Sequence, residues 1–425
     1  MKFALACYGS RGDVEPSVAI GRELRQRGHE VRVAVPPDLV GFAESNGLEA
    51  VAYGPKLREF LEDDLLRNIW TDFLHHFWSF REAIRFVRAP WEPIIRNWPE
   101  ISTTLTSLAD GADLLSTSHV FQEAAANVAE YYDIPLATLH CFPLRANGHL
   151  IPNLPPPLMR SAMAAVDWLY WRLTKEVEDT QRRELGLPKA TGPSPRRFAE
   201  HGSLEIQAYD GVCFGGLAAE WAKWNGQRPF VGALSMGLPA DADDEVASWI
   251  AAGTPPICFG FGSMPILESP SDTVDMISAV CAQLGERALV YSGWEDFSDV
   301  PQAEHVKVVG TINHAAIFPA CRAVVHHGGA GTTAAGLRAG IPTLILWTAG
   351  DQPYFAAQVK RLKVGTARQF SSTTRESLAA DLRQILAPQY AARARELAAQ
   401  MTKPAESVAR ATDLVENFAR LRHVI

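Results

Sequence analysis

The sequence predicts an α/β protein built from two doubly wound halves, and three features carry that expectation. Short apolar runs alternate with stretches of helical spacing along most of the chain, the pattern of parallel strands joined by crossover helices. A βαβ start is legible at the N-terminus, where a strand Lys2 to Cys7 leads into helical spacing over Val14 to Arg27 and a second strand at Val31 to Val35. A second start follows at Pro256-Ile257-Cys258-Phe259-Gly260-Phe261-Gly262-Ser263 and runs on through Ala288 to Tyr291, Val306 to Val309, Ala323 to His326 and Thr343 to Leu346.

The elements follow in order. In the first half, Gly28-His29-Glu30 turns the chain between helix and strand, and further alternation appears at Asp113 to Ser116, Gln122 to Tyr132 and Pro135 to His140. From Trp70 to Trp98 the chain is unusually aromatic. Phe73, Phe77, Phe80, Ile84 and Val87 trace one helical stripe, with Arg81, Arg85 and Arg88 on a neighbouring face. Such a stripe is either a helix packed on its own domain or an amphipathic wall that admits a lipid-bearing molecule or rests on a membrane surface. A second amphipathic stretch, Met159 to Val177, would complete that wall. Between the halves, Gly232 to Pro256 is rich in Gly, Pro, Ala and Asp and reads as an exposed linker. The expected division is residues 1–231, a linker over 232–256, a second domain over 257–403 and a C-terminal helix over 404–425.

Composition narrows the class. With 425 residues, 47% hydrophobic and 21% charged, the chain suits a two-domain enzyme. A net charge of −8 supplies no basic excess for nucleic acid. The six cysteines lie far apart, mostly within apolar runs, and are expected to be reduced, buried thiols of a cytoplasmic protein. No run reaches the roughly 18 apolar residues of a membrane span, and the first residues are too few for a signal peptide.

The most informative stretch is His326-His327-Gly328-Gly329-Ala330-Gly331-Thr332-Thr333. It follows an apolar strand and opens into helical spacing. Glycines there let a backbone approach a phosphate, and the amides of a helix N-terminus favour an anion. Thr332 and Thr333 would add hydroxyl donors. Neither G-x-G-x-x-G nor the phosphate loop ending in Lys-Ser/Thr is matched. The next strand-like run, Leu344 to Trp347, ends near Asp351 and Gln352, a carboxylate and an amide. Ligands of parallel sheets gather at carboxyl ends of strands. A phosphate turn beside groups that bind hydroxyls suits a nucleotide sugar. Adjacent His326 and His327 would point to opposite faces of a strand, so no metal site is expected.

This block resembles the donor-binding signature of the UDP-glycosyltransferase superfamily, most closely its bacterial antibiotic and sterol or lipid branches. Gly9-Ser10-Arg11-Gly12-Asp13-Val14-Glu15-Pro16 resembles the acceptor-side motif of those branches. Arg145-Ala146-Asn147-Gly148 and Trp168-Leu169-Tyr170-Trp171-Arg172 are similar to segments of mycobacterial glycopeptidolipid glycosyltransferases. The resemblance implies the GT-B architecture, two Rossmann-like domains facing a cleft, with the C-terminal helix crossing back to the first domain. It implies an inverting, metal-independent hexosyltransferase whose co-substrate is a dTDP- or UDP-sugar. The sugar would be a 6-deoxyhexose such as rhamnose or 6-deoxytalose, and the acceptor a lipopeptide or other hydrophobic molecule. A UDP-glucose-dependent sterol or natural-product glucosyltransferase, a GT-B epimerase and a carrier without catalysis are the other readings.

The resemblance also assigns residues. Asp13 matches the catalytic base, whereas its place before a helix equally suits a cap. His119 would pair with Asp13. His327 would reach the diphosphate, Gly328, Gly329, Gly331 and Thr332 would cradle it, and Ser263 would add a phosphate contact. His314 would sit near the nucleoside, and Asp351 and Gln352 would bind the sugar hydroxyls. Plant members carry a ribose-binding Glu eight positions after the motif His, where this chain has Ala335. That departure leans toward dTDP.

Overall fold

The computed structural model describes residues 1–57, 92–224, 226–260, 262, 269–293, 303–348 and 350–422. The aromatic stripe from Phe73 to Val87, with Arg81, Arg85 and Arg88, lies outside the described residues, as does Ser263.

Among the described residues two six-stranded parallel sheets organise the molecule. The first comprises β1 (Lys2–Ala6), β2 (Glu30–Val35), β3 (Glu49–Ala52), β4 (Leu114–Thr117), β5 (Leu136–His140) and β6 (Leu204–Gln207), ordered β3-β2-β1-β4-β5-β6. The second comprises β7 (Ile257–Gly260), β8 (Ala288–Tyr291), β9 (Val306–Val309), β10 (Ala323–His326), β11 (Thr343–Trp347) and β12 (Gly365–Gln369), ordered β12-β11-β10-β7-β8-β9. Counted within its own domain, each sheet has the same order, and each reverses direction once, between β1 and β4 or between β7 and β10. At such a reversal the connections leave on opposite sides and open a crevice beyond the strand ends.

The central strands are apolar because both faces are covered. On one face of the first sheet Leu5, Val33, Val18 and Leu24 pack with Ala411, Val415 and Ala419 of the C-terminal helix Pro404–Arg422. That helix therefore lies on the first domain, although the chain reaches it from the second. Burying a residue such as Val415 is worth roughly 1.5–3 kcal/mol. Arg27, which bonds Asp413 at 2.6 Å and Glu416 at 3.0 Å, adds orientation at the exposed edge. On the other face, helix Glu92–Ala109 seats Trp98, Ile101 and Leu105 against Val128 and Phe198, and the Trp98 indole donates to Gln181 at 2.9 Å.

The Gly232 to Pro256 segment is more than a linker. It contains a helix, Asp243–Ala251, whose Val246 and Ile250 are buried against Cys258, Leu289 and Val324. Asp243, Asp244 and Glu245 form its first turn, where the helix dipole favours acids, so polar composition masked a packed element.

The two domains share an apolar core at the base of the cleft. Leu150, Phe214 and Trp221 from the first pack with Leu337, Phe355 and Val359 from the second. Arg361 donates to the Cys213 carbonyl at 2.9 Å and Gln358 to the Leu150 carbonyl at 3.1 Å. All six cysteines are buried and free. Among the described residues no helix is long and apolar enough to cross a membrane.

Candidate active site

The reversal point of the first sheet holds Asp13. The chain leaves β1 through Tyr8-Gly9-Ser10 and enters helix Arg11–Gln26 earlier than the expected start near Val14. Asp13 is thus inside the first turn. Its Oδ2 accepts from the Ser10 amide at 2.8 Å and the Ser10 hydroxyl at 3.0 Å. Gly9, at φ +143°, is required here, since a Cβ would stand 2.4 Å from Asp13 Oδ2. Asp13 therefore caps its helix and also lines the interdomain cavity.

His119 follows β4 across the same reversal and lines the same cavity. The expected His119–Asp13 pairing is not formed. The imidazole stands edge-on to Phe142, centroids 5.8 Å apart, while Asp13 turns to Ser10.

At the reversal of the second sheet the two adjacent histidines separate as alternation demands, with ring planes 82° apart. His326 is fully buried, and its Nδ1 accepts from the Gly328 amide at 3.0 Å. His327 faces the cavity. Burial lowers its pKa from 6.5 to about 4, and its Nδ1 is buried without a hydrogen-bond partner.

Three glycines shape the turn. Gly328, at φ +101°, passes so close to β11 that a Cβ would lie 2.8 Å from Ile345, and its amide is already engaged by His326. A Cβ on Gly329 would meet His327 Nε2 at 2.4 Å, whereas one on Gly331 would meet open space. Helix Ala330–Ala339 then begins without a side-chain cap, so its first amides are available to an anion. Thr332 lines the cavity. Thr333 does not add a donor there: it is buried and gives its hydroxyl to the Gly329 carbonyl at 2.9 Å.

Asp351 and Gln352 begin helix Gln352–Leu362 and both line the cavity. Burial, and then the charge of Asp13 across the cleft, raise the Asp351 carboxyl from 3.8 to about 7. Gln352 braces its own turn, with Oε1 accepting from the Thr348 amide at 2.8 Å and hydroxyl at 3.0 Å. His314 stacks on Phe318 at 4.6 Å, and burial, then the positive charge of Arg11, lowers its pKa to about 4.

These groups surround one cavity of about 1230 Å³ between the domains. The sequence reading missed Phe142 and Tyr354, which stack across the cleft with centroids 6.1 Å apart. It also missed Asn313 and Arg338 on the cavity wall. Phe142 follows β5 as His119 follows β4, so the strand-end rule alone would have flagged it. Among the described residues no group of three or more His, Cys, Asp or Glu is placed to hold a metal ion.

Comparison with known proteins decides the family. Residues 3–93 match the glycosyltransferase family 28 N-terminal domain, and residues 288–416 match the erythromycin biosynthesis protein CIII-like C-terminal domain. "Uncharacterized glycosyltransferase Rv1524" of Mycobacterium tuberculosis is 61% identical over 422 residues, covering 99% of both chains. The chain belongs to the glycosyltransferases.

Its fold is GT-B. The glycosyltransferase of kitacinnamycin superposes with a TM-score of 0.70 at 18% identity, over 98% of this chain and 99% of that one. The spinosyn rhamnosyltransferase SpnG complexed with thymidine diphosphate superposes with a TM-score of 0.67 at 17% identity, over 97% and 100%. The co-substrate of this glycosyltransferase is a nucleotide sugar.

The buried imidazole gives the glycosyltransferase a proton signature. His327 is neutral at pH 7 in the empty site, since its pKa is depressed to about 4. Between 6.5 and 4 the unfolded chain holds the proton better, so this group costs stability as pH falls through that window. A diphosphate bound beside His327 would reverse the preference and raise its pKa. Nucleotide diphosphate binding there is therefore expected to take up protons near pH 5.5, with affinity rising as pH falls toward a limit of about tenfold per pKa unit restored. Titration calorimetry in two buffers of different ionisation enthalpy measures that uptake. Equal uptake by wild type and His327→Asn would assign it to other groups.

Proposed function

We propose that the enzyme transfers a 6-deoxyhexose, with inversion, from a dTDP-sugar to a hydroxyl of a lipopeptide or other hydrophobic acceptor. The observation that carries this reading is the single cavity bounded by Asp13 on one domain and by His327, the Gly329–Thr332 turn and Asp351 on the other. In the proposed step the acceptor oxygen attacks the anomeric carbon as the bond from that carbon to the diphosphate breaks. The hydroxyl proton passes to the Asp13 carboxylate. The leaving diphosphate carries the negative charge to His327 and the uncapped amides of helix Ala330–Ala339, where aligned donors stabilise it. Asp351 holds the sugar in line.

Three features support the choice of partners. Ala335 lines the cavity without a carboxylate for a ribose 2′-hydroxyl, which suits a deoxyribose. SpnG, a rhamnosyltransferase, was solved with thymidine diphosphate. The helix Pro156–Glu184 exposes Leu158, Val166, Trp168 and Leu169, an apolar approach for a lipid-bearing acceptor. Such an approach suits an enzyme working in the cytoplasm beside a membrane surface.

Thermal unfolding with UDP, dTDP, GDP and ADP tests the donor. A ligand at a hundredfold excess over its dissociation constant stabilises by about 2.7 kcal/mol. The largest shift is expected with dTDP. A larger shift with UDP would replace the nucleotide, and no shift with any would overturn the donor site.

A further inference from the structure

Besides Asp13 and Asp351 the cavity is lined by Glu15, Asp167 and Asp241, and among these Asp167 lies on the apolar helix wall, unused by the transfer reaction. Asp167 lies on helix Pro156–Glu184 and lines the cavity with Met159, Met163 and Val166. These positions share one helix face through spacings of three and four. The surroundings are apolar, with Leu144 and Leu150 on the neighbouring wall. Among the described residues Asp167 has no hydrogen bond and no salt bridge.

The nearby charges are already committed elsewhere. Arg145 bonds Glu205 through Nε and Gln122 through Nη2, the latter at 2.9 Å. Glu205 in turn accepts from Arg228 at 2.6 Å. Glu123 accepts from Tyr170 at 3.2 Å and Ser194 at 2.6 Å. Burial, eased by Arg145 and worsened by Glu123 and Glu205, holds the Asp167 carboxyl up at about 6. Asp167 is half-buried, so in the empty cavity its oxygens are left to solvent, and an apolar ligand that displaces that solvent must supply a donor in its place.

We propose that Asp167 is the polar anchor of an acceptor subsite, accepting a hydrogen bond from an ammonium or hydroxyl group on an otherwise apolar molecule. This rests on the reading of the cavity as a hydrophobic acceptor site. Asp167 fixes which way the acceptor enters, so that one hydroxyl reaches Asp13 while the anchored group stays at the helix. It is a specificity residue and takes no part in bond making.

Octylamine and 1-octanol are suitable probes, titrated by calorimetry into the full-length wild type, Asp167→Asn and Asp167→Leu, each with dTDP binding measured in parallel. Wild type is expected to bind at least one probe at least tenfold more tightly than Asp167→Leu. If the anchored group is an ammonium, Asp167→Asn loses octylamine as well. If it is a hydroxyl, Asp167→Asn retains octanol, because the amide oxygen still accepts. Equal binding of both probes by wild type and Asp167→Leu, or no binding of either to wild type, overturns the subsite. Unchanged dTDP binding in the variants shows that they are folded. Failure of wild type to bind dTDP would instead overturn the donor reading, so the two failures are distinguishable.

Discussion

Replacing Asp13 by asparagine is expected to lower kcat by roughly 10²–10⁴-fold, the usual contribution of a general base. Nucleotide binding and folding should be nearly unchanged. The reason lies in the cap that this carboxylate forms and in the base role proposed for it. The amide side chain would still offer an oxygen to the Ser10 amide, which Asp13 now receives at 2.8 Å, so the helix cap survives while the base is lost. Asp13→Ala removes both, adding a stability loss of about 1 kcal/mol. Steady-state kinetics together with melting temperatures separate the two. Full activity in Asp13→Asn would leave the residue only its cap.

The second large effect has opposite signs for stability and turnover. Asp351 titrates near 7 in the folded protein against 3.8 in the unfolded chain. The folded state therefore holds this proton more tightly, and stability falls as pH rises from about 4 to about 7, then levels off. Asp351→Asn should remove that penalty. The empty enzyme would gain up to roughly 4 kcal/mol at pH 8 and almost nothing at pH 4. Meanwhile kcat/KM should fall roughly 10–100-fold, the effect of losing a charged hydrogen bond to a sugar hydroxyl. Denaturant unfolding at both pH values, set beside transfer kinetics, tests this. A variant less stable than wild type at pH 8 would contradict the account of Asp351.

Much of this was legible in the chain because the relevant signals are local. Strands covered on both faces read as unbroken apolar runs, as in Ala323-Val324-Val325, and the glycine turn after them needs only its own residues. Contacts between distant segments were not legible. Nothing near Phe142 announces Tyr354, and nothing near His119 shows that its ring meets Phe142 instead of Asp13. Thr333 looked like a phosphate donor beside Thr332, but helical rotation turned its hydroxyl onto Gly329. Asp167 was hidden inside an amphipathic stretch, because a missing partner is a property of the folded surroundings.

The chain passes between the domains twice, and the two passages touch. Gly232 on the outward run is so close to the return run that a Cβ would stand 2.6 Å from Ser407 and 2.8 Å from Thr402. The Thr402 amide also bonds Asp210 at 2.7 Å. Side by side, the two passages make one narrow connection, so a side chain added at Gly232 is expected to disturb both at once.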